Sequence, residues 1–207
     1  QDCLAVLYHD PLKVRNFILE AAAHQYEEGD VQHWWHEPRY GVRTRITDDR
    51  LFLAYVTMEY IDFTGDYAIL NEKVPYLKSL KLEPHEKSRY EYPEISELSE
   101  PLLSHIEKAV KLVSFGENGL LLIGGGDWND ALDEVGDEKR GESVWLSMLY
   151  IIVMQKISRL YTGDSLRSIN DIIRKTADAV EKQFYKDRYA RLITKDGVTL
   201  GIPGAKI

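Results

Sequence analysis

Apolar residues recur at helical spacing along most of this chain, and that pattern predicts its elements. Val14, Phe17, Ile18, Ala21 and Ala22 mark an amphipathic helix over residues 11–27. Asp10 is its N-cap, Pro11 takes the first helical position, and Gly29 lies near the stop. Leu51, Leu53, Ala54, Val56, Met58 and Ile61 mark a second helix from Thr47 or Asp48 to Phe63. A shorter helical segment over residues 67–80 is interrupted by Pro75, and residues 81–96 read as charged and irregular. Further helices are predicted over residues 99–115, 142–161 and 165–185, the last with Leu166, Ile169, Ile172, Ile173, Ala177, Val180 and Phe184 on one side. The tail over residues 189–200 alternates about the turn Lys195-Asp196-Gly197, and this predicts a β-hairpin.

The connections sort into two kinds. Thr-Gly-Asp turns at 64–66 and 162–164 are tight, whereas the remaining connections are long and rich in Trp, His, Asp, Glu and Gly. Such a layout suits an all-α array of paired helices with its functional loops on one side. Periodicity alone does not separate a barrel of paired helices from a bundle or a solenoid.

With 207 residues the chain is long enough for one domain with a substantial core. The formal net charge is −8 and the cations are scattered, which argues against nucleic acid or an anionic membrane as the main partner. The longest apolar stretch, residues 144–154, is too short to span a bilayer and contains Ser147. The single cysteine, Cys3, excludes an internal disulfide and fits a reducing, cytoplasmic location. The chain begins at Gln1 and ends at Ile207 within a segment of structured character, so it reads as part of a longer protein.

The densest chemistry lies in Gly124-Gly125-Gly126-Asp127-Trp128-Asn129-Asp130, directly after the apolar run Leu120 to Ile123. An indole offers a flat apolar face, and adjacent carboxylates can accept hydrogen bonds or deliver a proton; together these suit a sugar. The competing reading is a loop whose Asp and Asn cap the next helix, with Trp128 in the core. A calcium loop using Asp127, Asn129, Asp133 and Glu138 fits poorly, because Ala131 and Leu132 stand where an oxygen ligand and a glycine belong. Gln32-His33-Trp34-Trp35-His36 is either an aromatic packing corner or a carbohydrate contact; no third ligand of zinc-like spacing accompanies its two histidines. In Gly41-Val42-Arg43-Thr44-Arg45-Ile46-Thr47-Asp48-Asp49 the acids suit a helix start, and the arginines offer bidentate forks for hydroxyls or phosphate. Gly141-Glu142-Ser143-Val144-Trp145 reads as a helix start with a core tryptophan in a supporting role. No P-loop, dinucleotide fingerprint or nucleophile elbow occurs.

These segments, with Gln1-Asp2-Cys3-Leu4-Ala5-Val6-Leu7 and Gly29 to Pro38, resemble the catalytic domain of glycoside hydrolase family 94 in the same order over nearly the whole chain. That family contains cellobiose, chitobiose and β-1,2-oligoglucan phosphorylases and the phosphorylase-like part of cyclic β-1,2-glucan synthases. The His-Trp-Trp-His and Gly-Val-Arg-Thr-Arg forms are most similar to the β-1,2-glucan branch. The resemblance implies an (α/α)₆ barrel, with residues 1–207 as one partial catalytic domain. It implies Asp130 as general acid and Trp128 against the sugar, with Arg43 or Arg45 and Asp48 or Asp49 on the sugar or the phosphate. Asp127, Gln32, Trp34 and Trp35 are further candidates for substrate contact. The Arg-Asp pair that the family carries just upstream is not in this sequence, and the rest of the phosphate site would lie beyond it.

The implied reaction is inverting phosphorolysis of a β-glucan to α-glucose 1-phosphate. Its partners would be a β-linked gluco-oligosaccharide and inorganic phosphate as co-substrate, without metal or other cofactor. The acid would need a raised pKa, from burial beside Trp128 or from Asp127. The resemblance allows a homodimer, and a membrane only if the parent is a glucan synthase. An inverting hydrolase of related fold and a non-catalytic carbohydrate-binding helical module are the alternatives.

Overall fold

The computed structural model describes residues 2–137 and 139–204. Gln1, Glu138 and Ile207, used in the expectations above, lie outside the described residues. The chain divides into two compact units, one of residues up to Arg45 with Asp49–Leu112, the other of Ile46–Asp48 with residues from Val113 onward.

In the first unit α1 (Pro11–Ala23) forms where the apolar spacing predicts it, and the Asp10 carboxylate accepts from the Lys13 amide at 3.0 Å. It is followed by β1 (Gln32–His36), β2 (Tyr40–Thr44), α2 (Asp49–Thr64), a 3-10 turn (Tyr67–Asn71), β3 (Lys73–Lys78), β4 (Ser88–Glu91), β5 (Glu94–Pro101) and α3 (Leu102–Lys111). Strands β1, β2 and β4 make an antiparallel sheet in that order, and β3 pairs with β5. The core joins Val14, Ile18 and Ala22 of α1 to Leu51, Ala54, Met58 and Ile61 of α2 and to Leu102 and Ile106 of α3.

The second unit holds β6 (Leu121–Leu122), β7 (Glu142–Ser143), α4 (Val144–Ser158), α5 (Gly163–Glu181), and the short strands β8 (Phe184–Tyr185), β9 (Arg188–Tyr189), β10 (Leu192–Ile193) and β11 (Thr199–Leu200). A four-stranded sheet runs β11-β10-β7-β6, and its β10–β11 arm is the predicted hairpin. Leu120, Val144, Ala179, Val180 and Ala190 form its core cluster. Among the described residues no helix is long and apolar enough to cross a membrane.

The expected all-α architecture, part of an (α/α)₆ barrel, is overturned. Among the described residues the chain is mixed α/β, with four small sheets beside five α-helices. Residues 73–78, expected to be helical, form β3. Pro75 stands in register with Ser99 next to an irregularity of the β3–β5 ladder, a place where a missing N–H is tolerated. The Trp- and His-rich loop is the β1–β2 hairpin, and the irregular charged stretch supplies β4 and the start of β5. The first Thr-Gly-Asp turn leads from α2 into a 3-10 turn, while the second does join two α-helices, α4 and α5.

Candidate active site

In the second unit the glycine run turns back on itself. Gly124 and Gly126 have φ of 62° and 148°, backbone that a side chain would strain. Residues 46–48 line this turn: Ile46 bridges to Gly124, and the Thr47 amide donates to the Gly126 carbonyl at 3.1 Å. Asp48 is buried beside it. The chain then delivers four side chains with different fates.

Asp127 has 0% of its surface exposed. Its carboxylate accepts from Arg191 Nη2 at 2.6 Å, Ser143 Oγ at 2.7 Å and the Asn129 amide at 3.2 Å. Arg191 Nη1 also donates to Ser143 Oγ at 3.0 Å, and that oxygen caps α4 by accepting from the Leu146 amide at 3.1 Å. Asp127 therefore ties the turn to a helix start and to β10's flank, and presents no surface to a ligand. Trp128, by contrast, is 61% exposed, so the core reading of that side chain fails. Its ring lies 6.5 Å from that of Trp145, which is itself half-buried with the Arg191 guanidinium 5.8 Å from its centroid. Asn129 caps the following 3-10 turn through the Ala131 amide at 3.1 Å, and Asp130 begins that turn. Asp130 is exposed, so the expected burial beside Trp128 is not found. The Arg191 guanidinium pairs with the Asp127 carboxylate at 2.6 Å, three residues before Asp130.

Glu142, read from sequence as a helix-dipole residue, has a more specific task. Its buried carboxylate accepts from Asn118 Nδ2 at 2.7 Å and from the Leu120 amide at 3.0 Å. It holds the loop that precedes β6.

The other sequence candidates lie in the first unit. Arg43 is 2% exposed. It grips Asp30 bidentately at 2.6 and 2.8 Å, Glu28 at 3.1 Å and the Leu80 carbonyl at 3.1 Å, with its guanidinium 3.9 Å above the Tyr26 ring. Burial, reinforced by a hydrogen bond to Glu91, pushes the Tyr26 hydroxyl well above its ordinary pKa. Arg45 donates to the carbonyls of Leu82, Glu83 and Glu86 at 3.2, 2.8 and 2.9 Å. The two guanidinium groups offered by the sequence for phosphate are thus engaged in holding the loops around β2. Asp49 opens α2 and accepts from His33 Nδ1 at 3.0 Å. Gln32 is buried, with its Oε1 accepting from His24 Nδ1 and its Nε2 donating to the Arg39 carbonyl at 3.2 Å. Burial lowers the His24 pKa, against the Gln32 hydrogen bond.

The paired tryptophans separate as strand neighbours do. Trp35 packs on the His24 ring at 4.2 Å and near Phe17, while Trp34 stands 47% exposed on the opposite sheet face. The sequence reading missed Arg191 altogether. It lies 64 residues from its partner Asp127, in a tail where alternation signals only a hairpin.

The family model described as glycosyl hydrolase 94 superfamily, catalytic domain, matches residues 1–205. The chain is 44% identical over 149 residues to the cyclic beta-(1,2)-glucan synthase NdvB of Rhizobium meliloti (strain 1021), covering 70% of this chain and 5% of that protein. It is 30% identical to the solabiose phosphorylase of Paenibacillus borealis, covering 77% of this chain and 18% of the relative. It is 27% identical to the cellobionic acid phosphorylase of Neurospora crassa, covering 98% and 25%. The chain thus spans a quarter or less of the length of these relatives.

Proposed function

The chain belongs to the glycosyl hydrolase 94 superfamily, as part of its catalytic domain, and on that premise we propose that it carries the proton donor of an inverting β-glucoside phosphorylase. Asp130 is the general acid. It protonates the glycosidic oxygen as the bond to the anomeric carbon breaks, and a phosphate oxygen attacks that carbon from the opposite face. The products are α-glucose 1-phosphate and a glucan shortened by one unit; run in reverse, the reaction lengthens the chain. An inverting hydrolase would need a second carboxylate to activate water. Phosphate arrives already anionic, so the acid and an anion-binding pocket suffice.

One observation carries this reading. The turn anchored through Asp127 holds an exposed indole and an exposed carboxyl two residues apart, an apolar platform beside a proton source. Phosphorolysis is supported by the relatives named as phosphorylases, and a β-1,2-linked glucan is favoured by the similarity to a protein named as a cyclic β-1,2-glucan synthase. The test is Asp130→Asn in the full reading frame. It should abolish glucose 1-phosphate release while the circular dichroism spectrum is unchanged. Near-normal turnover would refute the assignment, and sugar release from the unsubstituted protein without phosphate would favour a hydrolase.

A further inference from the structure

The outer face of the first unit's three-stranded sheet is paved with aromatic rings. Register places Trp34, Val42 and Tyr90 in one cross-strand row, and His36 opposite Tyr40 in the next, with Tyr92 just past β4. The inner face carries Arg43 and Trp35, already accounted for by packing. Outside, the ring centroids form a continuous chain: Trp34 to Tyr90 5.7 Å, Tyr90 to Tyr40 6.0 Å, Tyr40 to His36 5.8 Å and Tyr40 to Tyr92 4.6 Å. Trp34, Tyr40, Tyr90 and Tyr92 are exposed, with Tyr90 at 54%. Interplanar angles of 18° to 37° along this chain keep the rings close to a common tilt.

An exposed aromatic patch of this kind marks a contact surface. Its chemistry selects the partner. The rings carry polar edges: the Tyr90 hydroxyl donates to His36 Nε2 at 2.9 Å, and Arg39 Nη2 donates to the Tyr92 hydroxyl at 2.8 Å while its guanidinium lies 4.7 Å from that ring's centroid. These two rows carry no Leu, Ile or Phe; Val42 is the single aliphatic side chain among their rings. A surface of flat apolar faces rimmed by hydroxyl, imidazole and guanidinium groups complements an uncharged polyhydroxylated chain. Such a chain lays C–H faces on rings and its hydroxyls on their polar edges.

We infer that this sheet face is a binding platform for a neutral gluco-oligosaccharide, engaging sugar units of a long chain. The inference deepens the proposed function and rests on it for the substrate class. The test is fluorescence titration of the full-length protein, in an Asp130→Asn background, with β-1,2-linked gluco-oligosaccharides from the disaccharide upward. The unsubstituted platform should bind long chains more tightly than the disaccharide. Tyr90→Ala and Tyr92→Ser should each reduce that gain by about ten-fold, the scale of one lost ring contact of about 1.4 kcal/mol. Tyr90→Phe should retain most of it. Equal long-chain gain in all variants, despite native circular dichroism, would overturn the inference. So would loss of self-association or of vesicle binding in the variants with glucan affinity intact, since the face would then be a protein or membrane contact. Failure of the proposed function shows separately, as absent phosphorolysis in the protein with Asp130 restored while the platform still binds glucan.

Discussion

Removing Arg191 should unlock the turn that presents Asp130. Among the described residues its guanidinium is the only side-chain cation hydrogen-bonded to the Asp127 carboxylate, which has no exposed surface and otherwise accepts there from Ser143 Oγ and one backbone amide. Breaking a buried ion pair by deleting one partner costs about 3–5 kcal/mol, because the remaining charge is stranded. The Arg191 side chain is 32% exposed, so solvent already screens part of the attraction. The expected cost of Arg191→Gln is therefore about 2–3 kcal/mol. Asp127→Asn keeps the shape and leaves a guanidinium that water can reach, for about 1–2 kcal/mol. Because both act on one contact, the double variant should fall short of the sum by at least about 1 kcal/mol. Urea unfolding followed by tryptophan fluorescence and circular dichroism measures each value. Full additivity, or a cost of Arg191→Gln under about 0.5 kcal/mol, would show that the turn is held by something else.

Two further outcomes are expected. Burial lowers the His105 pKa from 6.5 to about 4; its imidazole stacks on Tyr76 at 3.9 Å and its Nε2 donates to the Val74 carbonyl at 3.0 Å. The unfolded chain thus binds a proton between these values that the folded chain refuses, so His105 contributes stability above pH 6.5 that is lost as pH falls toward 4, by about 3 kcal/mol. Urea midpoints across that range should fall less steeply for His105→Gln, and identical slopes would contradict the claim. Arg43→Lys keeps the charge yet cannot grip Asp30 bidentately or stack on Tyr26, and should cost about 3 kcal/mol in thermal or urea unfolding; a near-neutral result would show that Arg43 is not a structural pin.

What the sequence revealed depended on whether the deciding interactions were local. Helix α1 was legible because its cap, first-turn proline and apolar spacing all lie within one stretch, and the tail hairpin because Asp196-Gly197 announces its turn. The first unit's strands were not. His-Trp-Trp-His shows no alternation of apolar and polar types, since both neighbours are aromatic while one faces in and the other out. Strand β3 carries a proline and adjacent inward residues Tyr76 and Leu77, which blur a period of two. At the candidate site the glycines, Trp128 and Asp130 were identified from one segment. The roles of Arg43 and Asp127 were hidden, because Asp30 lies 13 residues from Arg43 and Arg191 lies 64 from Asp127. A charged side chain next to a suggestive motif looks the same in sequence whether it faces a ligand or a buried partner.

Burial separates the two aspartates, and under the proposed function that separation has a mechanistic consequence. A general acid must come within hydrogen-bond reach of the oxygen it protonates, so its carboxyl has to be reachable by the substrate. Asp127 has no exposed surface and does not meet that condition, whereas Asp130 is exposed. On the proposed function, the rigidity needed to aim a proton is supplied at Asp127 and used at Asp130, three positions on. The two substitutions should have opposite signatures: Asp127→Asn lowers stability first and turnover in consequence, and Asp130→Asn removes turnover from a protein whose unfolding midpoint stays put.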